Sequence, residues 1–304
     1  MNFKDGNLGA KSKKRIFSVL TSVGLALALL FTCVACGDKA GETVQDGDLL
    51  FTLNEGGKSY SVSAAEAGEA SGNVEIPESF KGKPVTAIGE NAFGGCDALT
   101  AVKIPNSVTS IQWNAFANCE GLTTLEIPAS VTSIGEDAFA NCTALESVSF
   151  GKNSNLITIA DEAFVRCSAL TQIALPSGLT GIGKRSFQEC TQLPGIALPN
   201  SVTALGEQAF LKCGNLQSIT LSAGLKTIEL ETFSESGLKE ITIPSGVTKI
   251  CERAFARCNN LERVTFALSN RWQARGDTIK VNENLSWNAN YLTSAYVNEV
   301  WTRI

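Results

Sequence analysis

The stretch Ile104-Pro-Asn-Ser-Val-Thr-Ser-Ile111-Gln-Trp-Asn-Ala-Phe116-Ala-Asn-Cys119-Glu-Gly-Leu122-Thr-Thr-Leu125-Glu-Ile127 decides how the rest of the chain is read, because its landmarks recur on both sides of it. Counting outward from Phe116 finds Phe93, Phe139, Phe164, Phe187, Phe210, Phe233 and Phe255, at a spacing of 23 residues that once gains two and once loses one. Five positions before each Phe stands Ile or Leu: Ile88, Ile111, Ile134, Ile159, Ile182, Leu205, Ile228 and Ile250. Three positions after it comes Cys96, Cys119, Cys142, Cys167, Cys190, Cys213 or Cys258, with Ser236 in the seventh copy. An alternating apolar pair follows, such as Val102/Ile104, Leu125/Ile127 or Ile219/Leu221, often with Pro behind it. Alternation of this length is the mark of a short strand.

A unit this small cannot bury its own apolar side. Identical units laid side by side turn each apolar position into a ladder and pair their strands into a long parallel sheet. The predicted fold is therefore a repeat solenoid of short parallel strands joined by turns or short helical segments, and it needs a cover at each end. Residues 49–87 hold alternating and degenerate material, Tyr60-Ser-Val62, Val74-Glu-Ile-Pro77 and Pro84-Val-Thr-Ala-Ile88, which reads as the N-terminal cap. Eight full units fill 88–266, and 267–304 reads as a C-terminal aromatic cap, where Leu285, Ala289, Leu292, Tyr296 and Val300 follow helical spacing. Within each unit Gly89, Gly135, Gly183 and Gly206 suggest a tight turn. The acids Glu90, Glu136, Asp161 and Glu207 behind them suit the exposed amides of a short helical turn.

The form IxIPxSVTxIGxxAFxxC, carried here by Ile104 to Ile111 and Ala115 to Cys119, resembles the BspA-type leucine-rich repeat over about residues 49–266. The resemblance implies a leucine-rich-repeat solenoid on an exported or surface protein that adheres to extracellular matrix proteins, host cells or other microbes. It implies no ligand-binding residue, because the shared motif is the core.

The chain begins with Lys11, Lys13, Lys14 and Arg15 ahead of an apolar run from Ile16 to Ala35, the layout of a signal peptide. Cys33-Val-Ala-Cys36-Gly-Asp closes the run and resembles a bacterial lipoprotein signal, which implies lipidation of Cys36 after cleavage behind residue 35. Residues 36–48 then read as the lipidated Cys and a flexible Gly, Asp and Glu tether. An uncleaved apolar anchor is the alternative, since the run is about the 20 residues that cross a bilayer. Both readings place the repeats across the membrane from the basic flank. The net charge is −5, and the first 35 residues contribute five basic groups and one acid, so the remainder is more negative still. An acidic body repels phosphate backbones, and nucleic acid is not an expected partner.

Cysteine at one fixed repeat phase behaves as a small buried hydrophobe. A metal reading has little support, because the chain has no His. Cys251 replaces a turn Gly seven residues before Cys258, and whether those two pair is open in the sequence. No phosphate loop or nucleophile motif is present, general acid-base chemistry would have to fall to surface carboxylates or Lys, and no cofactor or enzymatic activity is expected. Between the two apolar positions of each strand one residue faces out: Lys103, Glu126, Ser149, Ala174, Ala197, Thr220, Thr242 and Thr265. This strip is a candidate binding surface, or a solvated sheet face. Trp113 stands where other units carry an acid, which predicts an exposed indole of the kind found at binding hot spots. Trp272, Trp287 and Trp301 in the tail are candidates of the same kind, set against their use in a cap. The expected function is that of a surface-anchored, non-enzymatic repeat protein binding extracellular proteins, host matrix or other cells. An envelope scaffold that binds a partner from the same cell is the alternative.

Overall fold

The computed structural model describes residues 39–268, 271–281 and 286–304. The signal segment, Cys36, Leu285 and the side chain of Trp287 lie outside the described residues. Every residue of the main buried core falls between Phe51 and Trp301, inside the unit Asp38–Ile304, which therefore has what it needs to fold on its own.

Each unit contributes two strands. Val-Thr-Ser-Ile and its variants place β-branched residues in a short extended run, and these runs pair parallel in strict register: Ile88 with Ile111, Ile111 with Ile134, Ile134 with Ile159, Ile159 with Ile182, and Ile182 with Leu205. This ladder was not expected from the sequence, which pointed to the alternating pair alone. The alternating pair forms the second ladder, in which Leu125 lies beside Val148, Val148 beside Ile173, Ile196 beside Ile219, and Ile241 beside Val264. Between the ladders the phenylalanine rings stack along the solenoid axis, with centroids 5.1 to 5.8 Å apart. All eight are buried, and burying each side chain contributes about 1.5–3 kcal/mol.

The segment that carries Phe is not a helical turn. In the first unit the amides of Asn91, Phe93 and Gly95 donate to Trp113, Ala115 and Ala117 of the next unit at 3.0, 2.7 and 2.8 Å. Those of Ala92, Gly94 and Cys96 donate three residues back within their own unit. A helix would turn every amide inward and leave neighbouring units unjoined. The alternation is achieved by two left-handed residues per unit, flanking Phe at two positions on either side, such as Asn114 and Asn118 (φ 54° and 61°) or Glu162 and Arg166 (φ 57° and 58°). Such backbone is uncommon for residues other than Gly, and here each one releases an amide to the next unit.

The repeated glycines also differ from expectation. Gly135, Gly183 and Gly206 do not have positive φ; a Cβ at Gly183 would meet backbone atoms of Ala160 and Asp161 at 2.5 Å, and one at Gly206 would meet Lys184 N at 2.4 Å. They permit the units to approach, and do not serve the turn.

The cysteines hold the predicted core position and do more than fill it. Cys119, Cys142, Cys167, Cys190 and Cys213 each donate Sγ–H to the carbonyl of the Phe in the preceding unit, at 3.0 to 3.3 Å. That carbonyl already accepts an amide from its own unit, so both of its lone pairs are satisfied. Burial pushes these thiols up, to about 12 at Cys213. Cys251 and Cys258 are both free thiols in this structure.

Both ends are closed. At the N-terminus Leu49–Leu53 and Tyr60–Ala64 form an antiparallel pair, and the second strand pairs parallel to Lys83–Ile88. Phe51 stacks on Phe80 at 4.0 Å. The expected tether is shorter than 36–48, because Thr43–Asp46 is a strand that covers the open edge of Leu49–Leu53.

The C-terminal cap is less helical than its spacing predicts. A short helix, Ser286–Asn290, runs into a wider turn, Tyr291–Ala295, and the chain ends in the strand Trp301–Arg303. Each ladder receives its own cover. Trp301 and Thr302 pair antiparallel with Ile250 and Lys249, Val297 O accepts the amide of Arg253, and Asn288 Nδ2 donates to Val264 O. Among the described residues no helix is long and apolar enough to cross a membrane.

Candidate interaction surface

The face built from the second strand ladder carries two outward residues per unit. One line is the predicted strip, in which Lys103, Glu126, Ser149, Ala174, Ala197, Thr220 and Thr242 are exposed and Thr265 is half-buried. The other line runs alongside it as Ala101, Thr124, Ser147, Gln172, Gly195, Ser218, Glu240 and Arg263. The period of two fixes both lines, since their inward neighbours Val102, Leu125, Val148 and Ile196 are core. In four consecutive units, from Ser147 to Thr220, neither outward strand position carries a charge. Ion pairs bracket the neutral stretch, Lys103 with Glu75 at one end and Arg263 with Glu240 at 2.9 Å at the other.

The turn-bearing side is different in kind. Equivalent residues of adjacent units lie one strand spacing apart, about 4.8 Å, so like charges would repel, and across its C-terminal half the sequence alternates them. Arg185 bridges Glu162 at 2.9 Å and Gln208 at 2.8 Å, and Gln208 continues to Glu231 at 2.7 Å. A second line links Arg166, Glu189 and Lys212, and Arg257 pairs with Glu235. Exposed pairs of this type contribute about 0–1 kcal/mol each, and their charges are already matched within the chain.

Trp113 is on this side, away from the strip. It is 44% exposed, as its position predicts, and Asp137 of the next unit lies beside its indole. Burial raises the Asp137 pKa from its ordinary value, and the neighbouring acids Glu162 and Glu136 add to the shift. The local surface is thus acidic beside an exposed ring.

Two of the tail candidates are corrected by the structure. Trp272 and Trp301 are each 1% exposed; Trp272 packs against Phe266, and Trp301 lies against Tyr291 and Tyr296. The large apolar area of these rings makes them the natural seal for an open rung, so they are cap residues and not surface. Cys251 is partly buried, with its thiol 3.4 Å from a Glu229 carboxylate oxygen, and burial followed by that charge pushes it up to about 11, away from nucleophilic reactivity.

Stacked apolar rungs, two parallel strand ladders, end caps and a long open strand face together define a leucine-rich-repeat solenoid. The family model for the BspA type leucine rich repeat region matches residues 72–158 and 157–271 in six copies, and the chain belongs to that family. Among solved structures it is similar to a leucine rich cell surface protein from Faecalibacterium prausnitzii, at 26% identity and a TM-score of 0.58, over 80% of this chain. This chain spans 59% of that protein's length. A leucine rich repeat protein of T. pallidum matches at 24% identity over 72% of this chain and 91% of its own, with a TM-score of 0.48. One from Bacteroides ovatus matches at 23% identity over 74% and 71%, with a TM-score of 0.45. No curated protein matches the sequence.

Proposed function

We propose that this chain is a lipid-anchored cell-surface protein that displays its solenoid for binding proteins of the matrix, of host cells or of other microbes, and that it is not an enzyme. The observation that carries the reading is the strand face. It is open along the whole array, and the outward strand positions of its central four units are neutral, with charged strand positions only towards the ends. A flat surface of this type offers a partner many contacts with little desolvation of charge. Display at the surface is supported by the lipoprotein-like sequence ending at Cys36 and by the similarity to a protein described as a leucine rich cell surface protein.

The test has two arms. Purified residues 39–304 are titrated onto immobilised matrix proteins and onto whole cells, and saturable binding to at least one is expected; none at any would sink the adhesive role. Intact producing cells are treated with protease, and loss of the repeats is expected, whereas full protection would place them out of reach of an external partner.

A further inference from the structure

Near the start of the array the strand face is not flat. A groove of about 560 Å³ opens there, and Lys103, Asn106, Glu126, Pro128, Ala129 and Lys152 are among the residues that line it. This volume lies within the range of about 300–1,000 Å³ usual for ligand sites. The two-residue insertion in the third unit supplies one wall. Where other units leave the strand through Pro105, Pro128 or Pro176, this unit has Gly151-Lys-Asn-Ser-Asn155.

The inserted loop is pinned at both ends to the unit before it. Gly151 N donates to Ile127 O and Asn155 N donates to Ala129 O, both at 2.9 Å. A Cβ on Gly151 would stand 2.6 Å from Ala129 N, so only Gly permits this contact. Asn153 takes a left-handed φ of 58° at the tip, and Ser154 Oγ accepts the amide of Leu156 at 3.3 Å. A loop held in this way presents Lys152 without further ordering of its backbone on binding, which is the costly part of capturing a ligand with a loop.

The charges of the groove are unlike those of the turn side. Lys103 is engaged by Glu75. Glu126 and Lys152 take part in no ion pair among the described residues, although both border the same groove. Pro128 and Ala129 add apolar lining to the groove. Among the described residues no aromatic ring lines the groove, so a base finds no platform there on which to stack. An extended peptide complements these features, because it can present an acidic and a basic side chain on one side together with apolar ones.

We propose that this groove binds an extended segment of a protein partner, with an acidic side chain of the segment on Lys152 and a basic one on Glu126. The proposal rests on reading the strand face as the interaction surface, and it names where on that face specificity resides.

A phage-displayed library of short random peptides is panned on residues 39–304, and the selected peptides are synthesised and titrated by calorimetry. Selected peptides are expected to share one acidic and one basic residue. Lys152→Glu and Glu126→Lys should each weaken binding by about tenfold or more. A peptide with its basic residue changed to Asp should recover binding to Glu126→Lys. Both side chains are exposed, so thermal unfolding of the variants should match the parent. Peptides without the charge pair, binding indifferent to both substitutions, or a library yielding no saturable binder would each overturn the groove assignment. If residues 39–304 still bind matrix or cells in that case, the surface-binding role stands and only its location on the groove fails.

Discussion

Phe139 has Phe116 and Phe164 stacked on its two sides with ring centroids 5.3 Å away in each direction, so nothing can relax into the space it occupies. Phe139→Ala is expected to cost about 3–5 kcal/mol, as for other buried aromatic truncations, read as a fall in the denaturant midpoint; a loss within error would contradict the stacked core. The cysteines make a complementary prediction about accessibility. Of the eight described thiols only Cys251 is even partly exposed, so a thiol reagent at neutral pH should modify at most that one, slowly, until the protein unfolds. Rapid reaction of several thiols in the folded state would show that the ladder breathes. At this scale the sequence was informative about burial and silent about bonding. A constant phase identifies Cys119 and Cys142 as core, yet nothing in that phase reveals that the sulfur donates to the Phe carbonyl one unit back, because the contact joins residues 26 apart. Trp272 and Trp301 stood both as cap residues and as binding candidates, and their burial leaves the cap; aromatic content alone does not distinguish an exposed anchor from the seal on an open rung.

The turn and its glycines belong to the scale of the element. Gly183 and Gly206 face backbone at 2.4 to 2.5 Å, whereas a Cβ on Gly89 would find only Val62 O at 3.5 Å. Gly206→Ala is therefore expected to destabilise by about 1–3 kcal/mol through overpacking, and Gly89→Ala to be neutral or to stabilise by up to about 1 kcal/mol. Equal effects in calorimetric scans of the two variants would contradict the close-approach role. The thiol ladder also gives a pH dependence. In the unfolded chain these groups lose their protons near 9.0, while burial holds them to about 11 at Cys258 and about 12 at Cys213. The unfolded state therefore binds fewer protons as the pH passes 9.0, and stability present below that pH is lost above it, by up to about 1.4 kcal/mol per pH unit for each thiol. Urea midpoints at pH 8 and pH 10 should show the loss, and Cys213→Ser should lessen it. A parent midpoint unchanged between those two pH values would argue against burial of the ladder. The alternation of left-handed residues was legible only in hindsight from Asn91, Asn114, Asn118 and Asn141, since Asn tolerates that backbone. In later units Glu, Arg, Gln and Lys occupy the same positions, and there the cross-unit hydrogen bond overrides local preference.

On the scale of the whole molecule, the period accounts for the fold and the breaks in the period account for the surface. Recurrence of Phe, Cys and Ile was enough to read a stacked solenoid with two caps, because each of those positions answers to one demand, burial against its own copy in the next unit. The proposed binding surface answers to a partner outside the chain, so its residue types need not repeat from unit to unit; the strip was legible from strand alternation and the Gly151 to Asn155 insertion as a break in the period, but the groove was not, because it arises where that loop stands over the corner of the preceding unit. The central claim, that the strand face is the surface through which this protein binds, has a direct measurement. Ser149→Arg and Ala174→Arg place two large charges in the neutral centre of the face on side chains that are already exposed, and the double variant of residues 39–304 is titrated against whichever matrix protein or cell binds the parent. The account predicts affinity weakened by about tenfold or more with an unchanged unfolding transition; unaltered affinity in a folded double variant would show that binding occurs elsewhere on the solenoid.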